Sequence, residues 1–338
     1  MIRQRLSNHY ERILDMWGYR RAPDKPKQLH LSVTDRCFLP CKHCDIWKND
    51  SVDLPTKPWL DVIDRLGSWC APAGMNFVGG EPLLRKDLEL LMSRAVNHGF
   101  EVSFNTNGWL MTEERAKKIA GAGVQIAYVS LDGLNPETID HSRGRAGSYD
   151  KAIQAIEHLL ASNGPRVIIA AILHAQNAKE MPALLNWVEK NDMQLVIQPL
   201  YQNFGDVKYD PDWWKTAELW PQNADEVRDI DNAIDKLTSA RLRGRPVCNE
   251  AAQLQAMKFH FNNPDLDSGL SCRAGHSDLS IDPHGKIRLC YFLKPVGTMS
   301  EDTDFPLIWN QLTTLKRRWE VSRCDRHCNL LNCNFNAN

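Results

Sequence analysis

Residues 34–47 read TDRCFLPCKHCDIW and place three cysteines, Cys37, Cys41 and Cys44, within eight positions. They follow QLHLSVT, a short run of alternating apolar residues that reads as a strand. Thiolates ligate zinc and iron-sulfur clusters, and structural zinc closes its tetrahedron with four protein ligands. A cubane cluster held by three thiolates leaves one iron open to a substrate or cofactor. Zinc would need His43 or a distant residue as a fourth ligand. The stretch alone leaves both arrangements open, beside a plain group of reduced thiols.

Outward from this loop, strand and helix alternate five times before a sixth strand. After QLHLSVT come GMNFVGG, EVSFNTNG, VQIAYVSLDG, RVIIAAIL and MQLVIQPL. Apolar residues at helical spacing predict helices over 58–69, 87–98, 148–162 and 182–190, and Thr112 followed by Glu113 and Glu114 predicts a capped helix start. Strict alternation specifies a parallel sheet with right-handed crossovers. Five units and a strand fall short of an eight-unit barrel. The expected fold class is α/β: a partial (β/α)6 TIM-type barrel over 28–200, open on one side. Chemistry in such folds lies at the C-terminal strand ends, where the cysteine loop, GGEPL, NTNG and SLDG all fall.

Composition sets the context. The 338 residues are 43% hydrophobic and 25% charged, enough for one large core or two modest ones. A formal net charge of −1 gives no electrostatic reason to expect nucleic acid or an anionic membrane as partner. No apolar run reaches the roughly 18 residues of a membrane span, and the N-terminus lacks a secretory signal, so the expected location is cytoplasmic. Thiols stay reduced there, so ten cysteines point to metal ligation rather than disulfides. Three lie in 37–44 and five in 272–333, which suggests two centres.

Cys37-x3-Cys41-x2-Cys44 after the first strand, with Gly79-Gly80-Glu81-Pro82 after the second, resembles the radical S-adenosylmethionine (SAM) enzymes. The resemblance implies that the three cysteines hold a [4Fe-4S] cluster whose fourth iron is chelated by SAM. It further implies a flavodoxin or ferredoxin-type electron donor, and reductive cleavage of SAM to a 5'-deoxyadenosyl radical that abstracts a substrate hydrogen atom. Gly79 and Gly80 would let backbone approach the methionyl amino group, with Pro82 closing the turn and Glu81 adding a charge-assisted hydrogen bond. His43 stands where the family places an aromatic ring against adenine. Asn105, Ser130 and Asp132 would face SAM, and Arg143 would pair with its carboxylate through a bidentate fork. Each is also readable as a turn-stabilising polar residue. The fifth strand, VIIAAIL, lacks the family's glycines. Ile197 and Gln198 of the sixth strand are placed at the adenine edge by position alone.

Residues 201–270 read as a bridging helical segment whose tryptophans pack a junction, with a pocket-lining role as the alternative. Residues 1–27 read as an N-terminal helical extension. In 271–338, LSIDPHGKIRL predicts a hairpin, a helix is expected over 306–320, and Cys272, Cys290, Cys324, Cys328 and Cys333 resemble the twitch and SPASM auxiliary-cluster domains. Five thiols suffice for one further [4Fe-4S] cluster with one spare, in a small C-terminal α+β domain; a zinc knuckle is the alternative. Such a cluster would accept an electron from, or anchor, the substrate. The resemblance allows dehydrogenation of a small molecule such as a sugar or aminocyclitol, epimerisation, or crosslinking of a ribosomally made peptide. The short stretch before the first strand favours a small molecule. Cys248 is a candidate hydrogen donor to a substrate radical, against the alternative of an inert thiol. A non-catalytic zinc or iron-sulfur protein is the rival class.

Overall fold

Side chains that alternate along six parallel strands build two different faces. The strands are β1 (Gln28–Thr34), β2 (Gly74–Gly79), β3 (Glu101–Thr106), β4 (Ile126–Ser130), β5 (Arg166–Leu173) and β6 (Gln194–Pro199), each paired in parallel with the next. The computed structural model describes residues 23–49, 52–202, 210–266, 270, 272–324 and 326–335. The expected N-terminal extension lies outside the described residues as far as residue 22.

Leu29, Leu31 and Val33 of β1, Met75 and Phe77 of β2, and Val102 and Phe104 of β3 enter the main apolar core. The helices that cover this face are α1 (Thr56–Cys70), α2 (Leu88–Asn97), α3 (Glu113–Gly121), α4 (Pro136–Arg143), α5 (Ser148–Ala161) and α6 (Met181–Lys190). α1 buries Trp59, Val62, Ile63 and Leu66 on one stripe, and each full burial contributes roughly 1.5–3 kcal/mol. Thr112 caps α3 as expected, accepting from Arg115 N at 3.2 Å. α4 is an element the apolar pattern did not announce. It is set by Asn135 as cap, Pro136 in the first turn and Gly144 in left-handed conformation at its end.

The opposite strand face is open and mostly polar. His30, Ser32, Asn76, Ser103, Asn105 and Tyr128 line a cavity of about 1680 Å³. Its far side is apolar, where Ile126, Ile168 and Val196 cluster with Tyr128 and Cys248. The sheet therefore has the partial-barrel form, with one face left for a ligand.

The predicted C-terminal hairpin forms as β7 (Asp278–Ile281) and β8 (Lys286–Arg288), followed by β9 (Gly297–Thr298). It is not detached from the barrel. β7 pairs in parallel with β1, Gln28 opposite Asp278 and Leu31 opposite Ile281, so one sheet runs in the order β6-β5-β4-β3-β2-β1-β7-β8-β9. The helix expected over 306–320 divides at Gln311 into two, Phe305–Asn310 and Leu312–Ser322, which follow the bridging helices. Those bridging helices span Ala224–Leu242 and Ala251–Asn262. The described tryptophans of this segment pack a junction: Trp220 lies 5.0 Å from Phe261 and 5.1 Å from His260, ring centre to ring centre. None of Trp213, Trp214 and Trp220 lines the large cavity.

Candidate active site

The cysteine loop and the GGEP turn are joined backbone to backbone. Gly80 N donates to Thr34 O at 2.7 Å, and Glu81 N donates to Arg36 O at 2.9 Å. Gly79 has φ +139°, and a Cβ there would fall on the Thr34 carbonyl oxygen. Glycine is required at that point because the two strand ends touch. Pro82 opens a short 3-10 turn that Glu81 caps through Leu83 N.

Glu81 is fully buried, and its oxygens accept from Leu83 N (3.0 Å), Thr106 Oγ1 (2.9 Å) and Asn107 N (2.7 Å). Burial pushes its carboxyl up to about 7, against those bonds, which favour the ionised form. In the protein the carboxylate ties the ends of β2 and β3 together. Both of its oxygens face protein donors.

Asp132 and Arg143 are likewise turned inward. Asp132 Oδ1 accepts from Arg143 Nη2 at 2.7 Å and from Ile172 N at 2.9 Å, and the carboxylate is inaccessible to solvent. Burial alone would raise its pKa, but the Arg143 guanidinium and the His43 and His174 rings hold it below the usual value. Arg143 also hydrogen-bonds the Cys41 thiol. α4 thus carries the guanidinium under the loop, between Asp132 and Cys41. Ile197 departs from expectation. Its side chain is in the core, and Asn249 pairs with both its N–H and its carbonyl, at 2.7 and 2.8 Å.

Other expected residues do face open space. Gly79, Asn105 and Gln198 line the cavity, and the buried Asn105 Oδ1 has no hydrogen-bond partner. Ser130 is half-buried at the end of β4. His43 is kept neutral: burial and the Arg143 charge push its pKa down to about 3. A neutral imidazole suits stacking. Cys248 lies against Ile126, Ile168 and Val196, with its N–H on Leu195 O at 2.8 Å, so it belongs to the apolar wall toward the N-terminal ends of the strands. Cys70 ends α1 with its thiol on Leu66 O at 3.2 Å, a buried structural group.

Two thiol groups flank this space. Burial pushes Cys37 up to about 11 and Cys44 up to about 12, and the charge of one thiolate would raise the others. A bound metal removes that penalty by replacing the protons. Cys272, Cys290, Cys324, Cys328 and Cys333 all line the cavity, and Cys328 lies within electrostatic reach of the other four. The sulfurs of Cys272 and Cys290 accept from Ala274 N and Phe292 N, each at 3.4 Å. Among the described residues no three His, Cys, Asp or Glu side chains close on a single metal ion.

Sequence reading missed three residues here. Tyr201 is half-buried, lines the cavity and lies within electrostatic reach of Cys44, Cys333 and Cys328. Tyr291 lines the cavity beside Asp282 and Cys333. Asn107 directs its amide at Cys37 Sγ, 4.0 Å away. Only Asn107 had a signal, as the second asparagine of NTNG.

The radical SAM superfamily pattern matches residues 31–188. Mycofactocin maturase MftC of Mycolicibacterium smegmatis is 34% identical over 304 residues, 86% of this chain and 72% of that protein. The chain belongs to the radical SAM superfamily. Fe-coproporphyrin III synthase of Methanosarcina barkeri is 35% identical over 172 residues, 50% of this chain and 42% of its own length, so that likeness spans less than half of the relative. The fold is shared with the crystal structure of Streptococcus suis SuiB bound to precursor peptide SuiA, at 14% identity and a TM-score of 0.68, covering 93% of this chain and 70% of SuiB.

As a radical SAM enzyme the chain takes a [4Fe-4S] cluster and SAM. The residues fit: three thiols within each other's field, two cationic or amide side chains beside them, and a glycine turn that packs against the cysteine loop. No described helix is long and apolar enough to cross a membrane.

Proposed function

We propose that this radical SAM enzyme modifies a peptide, with Cys37, Cys41 and Cys44 holding the SAM-binding cluster and four of the five C-terminal thiols holding a second. The observation that carries the reading is the match to a maturase over 86% of the chain, which extends past the barrel into the second thiol group. The cavity supports it. It runs from the first residues of β1 and β3, Gln28 and Glu101, to their last polar positions and on to the C-terminal thiols. Its volume of about 1680 Å³ has room for SAM as well as a substrate. The preference for a sugar or aminocyclitol finds no support in the relatives or in the cavity wall.

With cofactors bound, the cluster and SAM supply a 5'-deoxyadenosyl radical that abstracts hydrogen from an unactivated C–H. The chain's own residues orient and exclude. Gly79 and Gly80 let the GGEP turn lie directly against the cysteine loop, Asn105 Oδ1 and the Gln198 side chain offer polar atoms to the cofactor, and neutral His43 offers a flat ring. Tyr201 and Tyr291 wall the passage toward the second thiol group, and a cluster held there would supply an acceptor for the electron a dehydrogenated peptide must lose. A flavodoxin or ferredoxin-type protein supplies the first electron.

The test is anaerobic reconstitution with a chemical reductant, SAM and a panel of peptides carrying deuterated residues. The reading expects about eight irons per chain, 5'-deoxyadenosine, and deuterium transferred into it from a peptide. About four irons would remove the second cluster. Deuterium transfer from a sugar, with none from any peptide, would overturn the substrate class.

A further inference from the structure

We propose that Asn107 and Arg143 set the reduction potential of the radical-generating cluster by donating hydrogen bonds to two of its three cysteine sulfurs. The inference rests on Cys37, Cys41 and Cys44 holding that cluster. Asn107 cannot present its amide the other way round: Trp109 N donates to its Oδ1 at 2.9 Å, which turns Nδ2 toward Cys37 Sγ, 4.0 Å away. Its backbone is anchored in turn by Glu81 Oε2 at 2.7 Å.

Arg143 approaches from the other side. One Nη2 bond goes to Asp132 Oδ1 at 2.7 Å, the guanidinium lies within interaction range of the Cys41 sulfur, and among the described residues its buried Nε has no protein acceptor. The end of α4 is fastened to the cysteine loop, since Lys42 N donates to Ser142 O at 2.9 Å and left-handed Gly144 lies against the Pro40 carbonyl. The donor therefore moves with the sulfur it serves. Among the described residues Cys44 meets no such side-chain donor, and the backbone N–H of Ile46 serves it.

A donor to a thiolate stabilises the more negative, reduced cluster and raises its potential, and hydrogen bonds to the sulfurs are a principal means by which a protein sets that potential. A cation does this more strongly than a neutral amide, and buried Asp132 moderates it. Asn107 and Arg143 are thus positioning residues that act through the sulfur rather than through the substrate.

The experiment is an EPR-monitored redox titration of the reconstituted enzyme, following the signal that changes when SAM is added. Asn107→Asp keeps an oxygen for Trp109 N but replaces the donor to Cys37 with an anion. At a fixed potential, the reduced-to-oxidised ratio should fall about tenfold, a shift of about 59 mV for one electron. Asn107→Ser and Arg143→Lys should fall in the same direction by less. Unchanged potentials in variants that retain their iron would overturn the proposal. So would loss of the cluster from both Asn107 variants, which would make that residue structural. A wild-type enzyme with iron but no SAM-responsive signal would instead remove the cluster assignment beneath it.

Discussion

Replacing Gly80 with alanine probes the joint on which the site depends. A Cβ on Gly80 would lie 2.7 Å from the Asp35 carbonyl oxygen and nearer still to that of Arg36. Carbon–oxygen contacts settle at about 3.3–3.6 Å, so the turn and the cysteine loop must part by about 1 Å. Both neighbours are backbone, and no side chain can swing aside. Overpacking of this kind costs about 1–3 kcal/mol. The same opening breaks the bond from Glu81 N to Arg36 O, now 2.9 Å, leaving a buried N–H unmade at about 1–3 kcal/mol more. The sum, about 2–6 kcal/mol, lowers the melting temperature by roughly 4–12 °C at about 2 °C per kcal/mol. Activity should suffer more, since a shift of about 1 Å at a reacting centre costs on the order of 100-fold. The assay pairs thermal unfolding with 5'-deoxyadenosine formation under anaerobic conditions. Gly121→Ala serves as control: it ends α3 with nothing within 4 Å of the added methyl, so stability should hold or rise slightly. A Gly80→Ala enzyme that melts within about 1 °C of wild type and makes deoxyadenosine at the normal rate refutes the reasoning.

Three further outcomes are expected. Asp132→Ala strands the buried Arg143 charge and should cost about 3–5 kcal/mol in denaturant unfolding, while Asp132→Ala with Arg143→Met should recover most of it; equal losses in single and double variants would deny the coupling. Burial, with Asp132 opposing and Arg143 assisting, lowers the pKa of His174 from 6.5 to about 4. A depressed base contributes stability that is complete above pH 6.5 and lost as the pH falls toward about 4, up to about 3 kcal/mol, so His174→Gln should flatten that acid limb in the iron-free protein. Parallel pH profiles of the two proteins would remove His174 as its source. Cys248→Ala should leave deoxyadenosine formation and peptide turnover unchanged, because the thiol lies in the apolar wall; lost turnover with normal unfolding would restore it as a hydrogen donor.

What the residues determine unaided is local or repeated. The spacing Cys37, Cys41, Cys44 directly after one strand and Gly79-Gly80 directly after the next leaves few ways to fold that do not bring them together, because parallel neighbours align their C-terminal ends. Apolar residues every third or fourth position placed α1, α2, α5 and α6 to within a residue or two, since helix burial is a periodic demand. α4 escaped because it is short and polar, held by a cap and a proline rather than by an apolar stripe.

Tertiary structure alone decided how polar side chains were partnered and how the two halves joined. Sequence names Arg143, Asp132 and Glu81 as groups able to grip a ligand, and cannot say that each meets a protein partner first. Those bonds span 11 to 26 residues and exist only once α4 and β3 are packed. The pairing of β7 with β1 joins residues 250 positions apart, Gln28 with Asp278, through backbone groups that every residue carries. Hydrogen bonds of that kind have no residue code, so nothing in the order of amino acids announces them. They nevertheless bring the second thiol group to the open face of the barrel, where it lines the cavity.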